Sequence, residues 1–328
     1  FISALKNSIN RTEIIENNKD IIISTFDFIT NNPNFKIIIE EKDNINCLQL
    51  LTKIIDNSIY TIAKETNEDI LNDFYSEFTK YSGSNQTLGI VLTPKHIAKF
   101  MSNLLNITEN DILLDTCCGS TSLLLSSKTK PKKLLGVEYN ARMLSLGVAN
   151  MIIGKRNALL INGDSFDIKV IEKLKKEKPT KMIINPPYSQ PNYPELEFIK
   201  KGLSCLEQDG LGVAIVPMSC AIKQDSLSKK LRKEILENNT LLATFSMPDN
   251  LFYPVGVVSI IMLFKAGRPH SNKDKTFFAY LKDDGFELHK TLGRTDLNNR
   301  WNDIKKKVLN LYNNNQEEKG FTAIGNLD

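Results

Sequence analysis

The strongest constraint on what this chain can fold into is an alternation that begins at Asp111 and runs to Phe264: short apolar runs separated by amphipathic segments. Residues 112–116, 134–137, 158–161 and 182–184 read as strands, and helical spacing fills the stretches near 122–126, 143–153, 168–176 and 196–206. Three more apolar strands follow at 211–216, 241–245 and 257–264. Strands and helices that alternate in this way bury their apolar faces as a mostly parallel, doubly wound α/β sheet.

In such sheets ligands sit outside the carboxyl ends of the strands, and four successive strands here end in chemically useful residues. After the first come Asp115 and Gly119, flanking a small-residue turn where backbone can approach a ligand closely. Glu138 ends the second and can accept both hydroxyls of a ribose. Asp164, near the end of the third, can accept from an amino group or a bridging water. The fourth runs from Lys181 into Asn185-Pro186-Pro187-Tyr188, where two prolines forbid further strand pairing. The Asn185 amide oxygen and the Pro186 carbonyl can each accept one N–H of a planar amine. Two fixed acceptors hold a poorly nucleophilic nitrogen, such as the exocyclic amine of adenine, while its lone pair turns toward an electrophile. Tyr188 offers a stacking face for a base taken out of a duplex. One glycine turn or one acid is a weak signal; four in order on successive strand ends are a strong one.

Around this centre the chain divides into an N-terminal helical domain (1–82), the main domain (83–267) and a C-terminal extension (268–328). In the first, apolar residues recur at helical steps, for example Ile14, Ile15 and Ile22, then Leu50, Leu51, Ile54 and Ile55. A polar joint at 81–85 marks the boundary. Thr93 is expected to cap a helix that has Pro94 in its first position and Ile97, Phe100, Met101 and Leu104 on one face. The extension holds an expected strand at 276–281, a turn at Asp283-Asp284-Gly285 and an amphipathic helix at 301–312 that either closes the main domain or meets a partner. Residues 1–80 carry a net charge of −5 and the remainder +9, so the main domain suits a phosphate backbone better than the first. The longest apolar stretch, 255–264, is far too short to cross a bilayer, so no membrane association is expected. Cys47, Cys117, Cys118, Cys205 and Cys220 show no Cys-x-x-Cys spacing, which points to a reduced, cytoplasmic protein without structural zinc.

On these residues the chain resembles the N6-adenine DNA methyltransferases, specifically the modification subunit of type I restriction–modification systems, over roughly residues 1–265. Asp115-Thr-Cys-Cys-Gly119-Ser120 is similar to the family's Asp-Pro-Ala-Cys-Gly-Thr motif, and Asn185 to Tyr188 is the family's catalytic motif as it stands. The resemblance implies a Rossmann-like sheet that uses S-adenosyl-L-methionine. Thr93 and Pro94 then match the methionine-binding position, Glu138 and Tyr139 the ribose position, and Asp164 and Ser165 the adenine position. Asp115 and Gly119 form the turn, and Asn185, Pro186, Pro187 and Tyr188 are catalytic, with no metal or covalent intermediate. By the same resemblance Phe252 or Tyr253 supplies a second aromatic face to the target base; packing in the core is the alternative. Implied partners are double-stranded DNA, a separate specificity subunit that reads the sequence, and, as a further candidate, a restriction subunit. The chain departs from the family where Gly-Thr-Gly-Gly becomes Gly119-Ser120-Thr121-Ser122. If that turn requires positive φ, a β-branched Thr121 is an awkward occupant. Two other readings stay open: a methyltransferase acting on a protein glutamine or on ribosomal RNA through the same motif, and a non-catalytic scaffold that keeps the fold.

Overall fold

In the computed structural model, the described residues are 14–31 and 93–327 apart from 191 and 290–292, with scattered positions between 7 and 57. The centre is a nine-stranded sheet. Its strands are β1 (Ile112–Asp115), β2 (Lys133–Glu138), β3 (Ala158–Asn162), β4 (Lys181–Ile184), β5 (Leu211–Pro217), β6 (Asn239–Ser246), β7 (Ser259–Ala266), β8 (Thr276–Tyr280) and β11 (Thr322–Gly325). They lie in the order β11-β8-β6-β7-β5-β4-β1-β2-β3. From β5 to β3 every pair is parallel. β7 then inserts antiparallel between β5 and β6, β8 runs parallel to β6, and β11 runs antiparallel to β8. A short hairpin, β9 (Glu287–His289) and β10 (Gly293–Thr295), stands apart.

The parallel strands are buried on both faces, which is why they read as unbroken apolar runs rather than as alternating ones. Leu113 and Leu114 in β1 and Met182, Ile183 and Ile184 in β4 are all fully buried. One face is covered by α1 (Glu16–Asn31), α2 (Lys95–Leu105), α3 (Ala141–Ile153) and α8 (Trp301–Asn313). The other is covered by α4 (Ile168–Lys176), α5 (Glu195–Leu203) and α7 (Ser226–Leu236), with the single-turn α6 (Ser219–Ile222) beside them. No described helix is long and apolar enough to cross a membrane.

Two expectations need correcting. The stretch at 122–126 is a series of turns, not a helix. Thr121 enters it with φ +71°, and the bonds that follow, Leu125 N to Thr121 O and Ser126 N to Leu123 O, close single turns that do not propagate. Thr93 does not cap α2. Pro94 holds the cap position with extended backbone (φ −56°, ψ 136°), which places Thr93 outside the helix, and no side chain caps it. Of the two roles left open for the C-terminal helix, packing on the main domain is seen, and the residues around it return to the same sheet. β8 and β11 extend it, and α8 buries Trp301 and Val308 in the core. Trp301 meets Phe100 of α2 edge to face at 5.7 Å. The polar helix α7, the hairpin and β11 were not anticipated. The expected joint at 81–85 lies outside the described residues.

Helix α1 lies along β3 and α3. Asn18 donates through Nδ2 to Ala158 O (2.8 Å) and accepts from Leu160 N through Oδ1 (3.3 Å), while Asn17 donates to Leu160 O.

Candidate active site

A cavity of about 570 Å³ opens over the carboxyl ends of β1, β2, β3 and β4, well within the ~300–1,000 Å³ usual for small-molecule sites. Its floor is the turn after β1. Cys118 N reaches back to Val137 O at 2.9 Å, and Gly136 makes this approach possible, since a Cβ there would sit 2.8 Å from Cys118 Sγ. Gly119 has φ +51° and its N–H donates to Glu138 Oε2 at 2.9 Å. Thr121 does occupy a positive-φ position, and it is fully buried. That conformation costs a β-branched residue on the order of 1–2 kcal/mol, and the neighbouring helix accommodates it. Gly147 of α3 leaves room for the Thr121 methyl, which a Cβ would meet at 2.6 Å, and Asn150 Nδ2 donates to Ser120 O at 2.9 Å.

Asp115 is almost wholly buried at the end of β1. One carboxylate oxygen accepts from Cys117 N at 2.9 Å. The other, Oδ2, and the buried Thr116 hydroxyl have no hydrogen-bond partner among the described residues. Burial, with Glu138 nearby, pushes the Asp115 carboxyl up to about 7. Burial also raises Glu138, against the pull of the backbone amides that bind it. The Glu138 oxygens already accept from Gly119 N and, at 2.7 Å, from Asn140 N. A carboxylate oxygen has a second lone pair, so the bidentate grip expected of Glu138 stays available and is aimed in advance. The Cys117 and Cys118 thiols are pushed well above their ordinary value by burial, which makes them packing groups rather than nucleophiles.

Tyr139, 82% exposed, stands on the rim, where Asn162 Nδ2 holds its carbonyl at 3.0 Å. Asp164 accepts from Phe166 N at 2.9 Å, and the Ser165 hydroxyl donates to Thr116 O. Phe166 and Tyr193 stack with centroids 3.9 Å apart and rings 8° from parallel, and both line the cavity. This pair escaped the sequence reading; aromatic residues a few positions beyond two strand ends were its only trace.

At the end of β4, Asn185, Pro186 and Pro187 line the same cavity, as does Thr93. Asn185 Nδ2 donates to Thr93 Oγ1 at 2.9 Å. This is what Thr93 does instead of capping α2. After Tyr188 the chain turns at Ser189 (φ +58°), whose N–H donates to Glu195 Oε1 at 2.8 Å at the start of α5. Pro94, Tyr188, Phe252 and Tyr253 do not line the cavity. The half-buried Tyr188 ring meets buried Phe252 edge to face at 6.0 Å, and its hydroxyl has no described partner. Tyr253, 58% exposed, is on the surface beside them in sequence. Most of the expected residues thus line the cavity, Tyr188 and Phe252 form an aromatic pair beyond its lining, and Pro94 and Tyr253 belong to neither.

The unpartnered Asp115 Oδ2, the remaining acceptor capacity of Glu138 and the stacked rings of Phe166 and Tyr193 along the cavity fit a nucleoside that carries amino and hydroxyl groups. The N-6 DNA Methylase family model matches residues 66–201 and 191–328. The chain is 33% identical to the type II restriction enzyme and methyltransferase RM.BcgI of Heyndrickxia coagulans, over 71% of this chain and 40% of that protein. It is 25% identical to the type I restriction enzyme MjaVII methylase subunit of Methanocaldococcus jannaschii, over 88% of this chain and 54% of that one. It thus spans about half the length of these curated relatives. A solved modification subunit of a putative type I restriction enzyme from Vibrio vulnificus shares the fold, with a TM-score of 0.64, 15% identity, and coverage of 80% of this chain and 60% of that one. A solved chain described as a putative class I S-adenosylmethionine-dependent methyltransferase from Listeria monocytogenes also shares the fold, with a TM-score of 0.57, 15% identity, and coverage of 95% of this chain and 97% of that one. By its motifs, its sheet and this match across most of its length, the chain belongs to the N-6 DNA methylase family.

Proposed function

We propose that the chain transfers a methyl group from S-adenosyl-L-methionine to N6 of adenine in DNA, as the modification component of a restriction–modification complex. The observation that carries this reading is the Asn185–Thr93 contact, which presents the amide of Asn185 at the mouth of a cavity suited to a nucleoside. The cofactor, when bound, supplies an electrophilic methyl on a sulfonium. Asp115 Oδ2 and Glu138 would accept from its amino and hydroxyl groups, and Phe166 with Tyr193 would cover its base. Thr93 orients Asn185, which with the Pro186 carbonyl accepts the two N–H bonds of the target amine and turns its lone pair toward the methyl. Such preorganised acceptors act on charge that develops only as the bond forms. Tyr188, backed by Phe252, offers a ring to the extruded base.

The relatives named above are restriction enzymes and their methylase subunits, which supports double-stranded DNA as substrate, with a specificity subunit and a restriction subunit as partners, in the cytoplasm. Reading base edges needs an element that enters a groove, and the resemblance assigns it to the specificity subunit. The test is a transfer assay with labelled methyl donor on duplex DNA, a glutamine-bearing protein and ribosomal RNA. Label should appear in DNA as N6-methyladenine, weakly and without sequence preference for the isolated chain, and at one site once the cognate specificity subunit is added. Label in protein or RNA alone would overturn the reading.

A further inference from the structure

Away from the cavity lining, Asp284, Arg294 and His96 form a buried polar cluster. Asp284 is fully buried. Its carboxylate accepts from Arg294 at both oxygens (3.1 and 2.6 Å), from His96 Nε2 at 3.0 Å and from Phe286 N at 3.2 Å. Burial lowers His96 against the opposing pull of Asp284, and because an ionised carboxylate can only accept, the ring donates through Nε2. The same ring stacks on Phe286 at 3.9 Å and meets Trp301 edge-on at 5.1 Å. A charge buried this deeply is costly unless its geometry is fully satisfied. What matters for the site is where its two partners lead.

His96 lies in the first turn of α2, three residues from Thr93, which binds Asn185. Arg294 reaches the other way, donating to Asn250 Oδ1 at 3.0 Å. Asn250 opens the loop whose turns, Tyr253 N to Asn250 O at 3.1 Å and Val255 N to Phe252 O at 2.8 Å, carry Phe252 to Tyr188. One arm therefore ends on the first residue of the Asn185–Tyr188 motif and the other on its last. We propose that Asp284 is a positioning residue for that motif: through His96 it sets Thr93 against Asn185, and through Arg294 and Asn250 it sets Phe252 against Tyr188. This deepens the methyl-transfer reading and rests on it for its catalytic consequence, while its structural consequence stands alone.

The experiment compares Asp284→Asn, Asn250→Ala and Asn250→Asp in the full chain by amide hydrogen exchange, S-adenosylmethionine titration and turnover on DNA. Asn250 is a surface contact, so its variants should fold even if Asp284→Asn does not. In Asn250→Ala, exchange should speed up in segments 185–190 and 250–257 and stay unchanged at the ends of β1, β2 and β3. In Asp284→Asn, segment 93–98 should join them. Cofactor affinity should hold within about twofold while turnover falls about tenfold, in keeping with the steep cost of small misplacements. Asn250→Asp keeps the acceptor for Arg294 and should restore both exchange and turnover. Unchanged exchange at 185–190 in Asn250→Ala would overturn the proposal, as would a loss of cofactor affinity in step with turnover, the mark of a general structural role. If the parent chain modifies no DNA, the methyl-transfer reading fails, and the exchange pattern still decides this one.

Discussion

The two walls of the cavity are built in opposite ways. The wall formed by the ends of β1, β2 and β3 is held by short-range bonds from carboxylates to main-chain amides: Asp115 to Cys117, Glu138 to Gly119 and Asn140, Asp164 to Phe166. The wall at the end of β4 is held by side chains from far along the sequence. Thr93 lies 92 residues from Asn185, and Phe252 comes from the loop before β7. The first wall can therefore form as soon as its strand–helix units do, and on the proposed reading it would hold the cofactor. The second exists only once the whole chain, tail included, has closed. If the proposed function holds, binding a cofactor and acting on a substrate should be separable, and substitutions should sort by wall.

The largest separation is expected for Asn185→Ala. Losing one preorganised acceptor should slow methyl transfer on the order of a hundredfold or more while leaving cofactor affinity intact, as titration and turnover measured side by side would show. Near-normal turnover would remove Asn185 from the mechanism. On the opposite wall, Glu138→Ala should weaken cofactor binding by roughly 1.5–3 kcal/mol, the worth of charged hydrogen bonds, and a calorimetric titration that finds no change would reduce Glu138 to a brace for Gly119 and Asn140. Next comes a pH effect from Asp115. Its folded value of about 7 lies above the ordinary 3.8, so folding takes up a proton between those pH values. The contribution of Asp115 to the stability of the ligand-free protein should therefore be fully present below about pH 3.8 and be lost as pH rises toward 7, by at most about 1.4 kcal/mol per pH unit, read as the difference between the parent chain and Asp115→Asn. Denaturant titrations across that range should show the slope, and Asp115→Asn should flatten it. Smallest is Thr93→Ala, which removes one neutral hydrogen bond worth about 1 kcal/mol and should slow transfer several-fold, with Thr93→Ser restoring it. If it instead weakens cofactor binding by as much, Thr93 belongs to both walls and the division fails there.

The same division explains what could be read from the sequence. Strands β1 to β7 announce themselves because burial on both faces makes them apolar throughout, and Asp115, Glu138, Asp164 and Asn185 are legible because each directly follows such a run. The partners of Asn185 are not. Nothing local to Thr93 distinguishes a hydroxyl that caps a helix from one that faces another strand end, and only the position of Pro94 in space decides. Nor does the Asp283-Asp284-Gly285 turn reveal that its middle residue is buried against Arg294 and His96. Thr121 is instructive in the reverse sense. Its positive φ was foreseen as a difficulty, while the remedy, the gap that Gly147 leaves for its methyl, sits in another helix and has no sequence signature. Phe166 and Tyr193 were missed because stacking depends on ring orientation, which spacing does not encode.

The contact between α1 and β3 has a consequence for association. β3 is the last strand on its side of the sheet, and an outermost strand ordinarily offers its unpaired main-chain groups to any other chain that can lie alongside. The amides of Asn17 and Asn18 occupy Ala158 O, Leu160 N and Leu160 O and so serve as a surrogate tenth strand two residues wide. A variant lacking residues 1–31 would uncover that ladder and should self-associate edge to edge, so the first helix acts as a guard against polymerisation as well as a cover for the core.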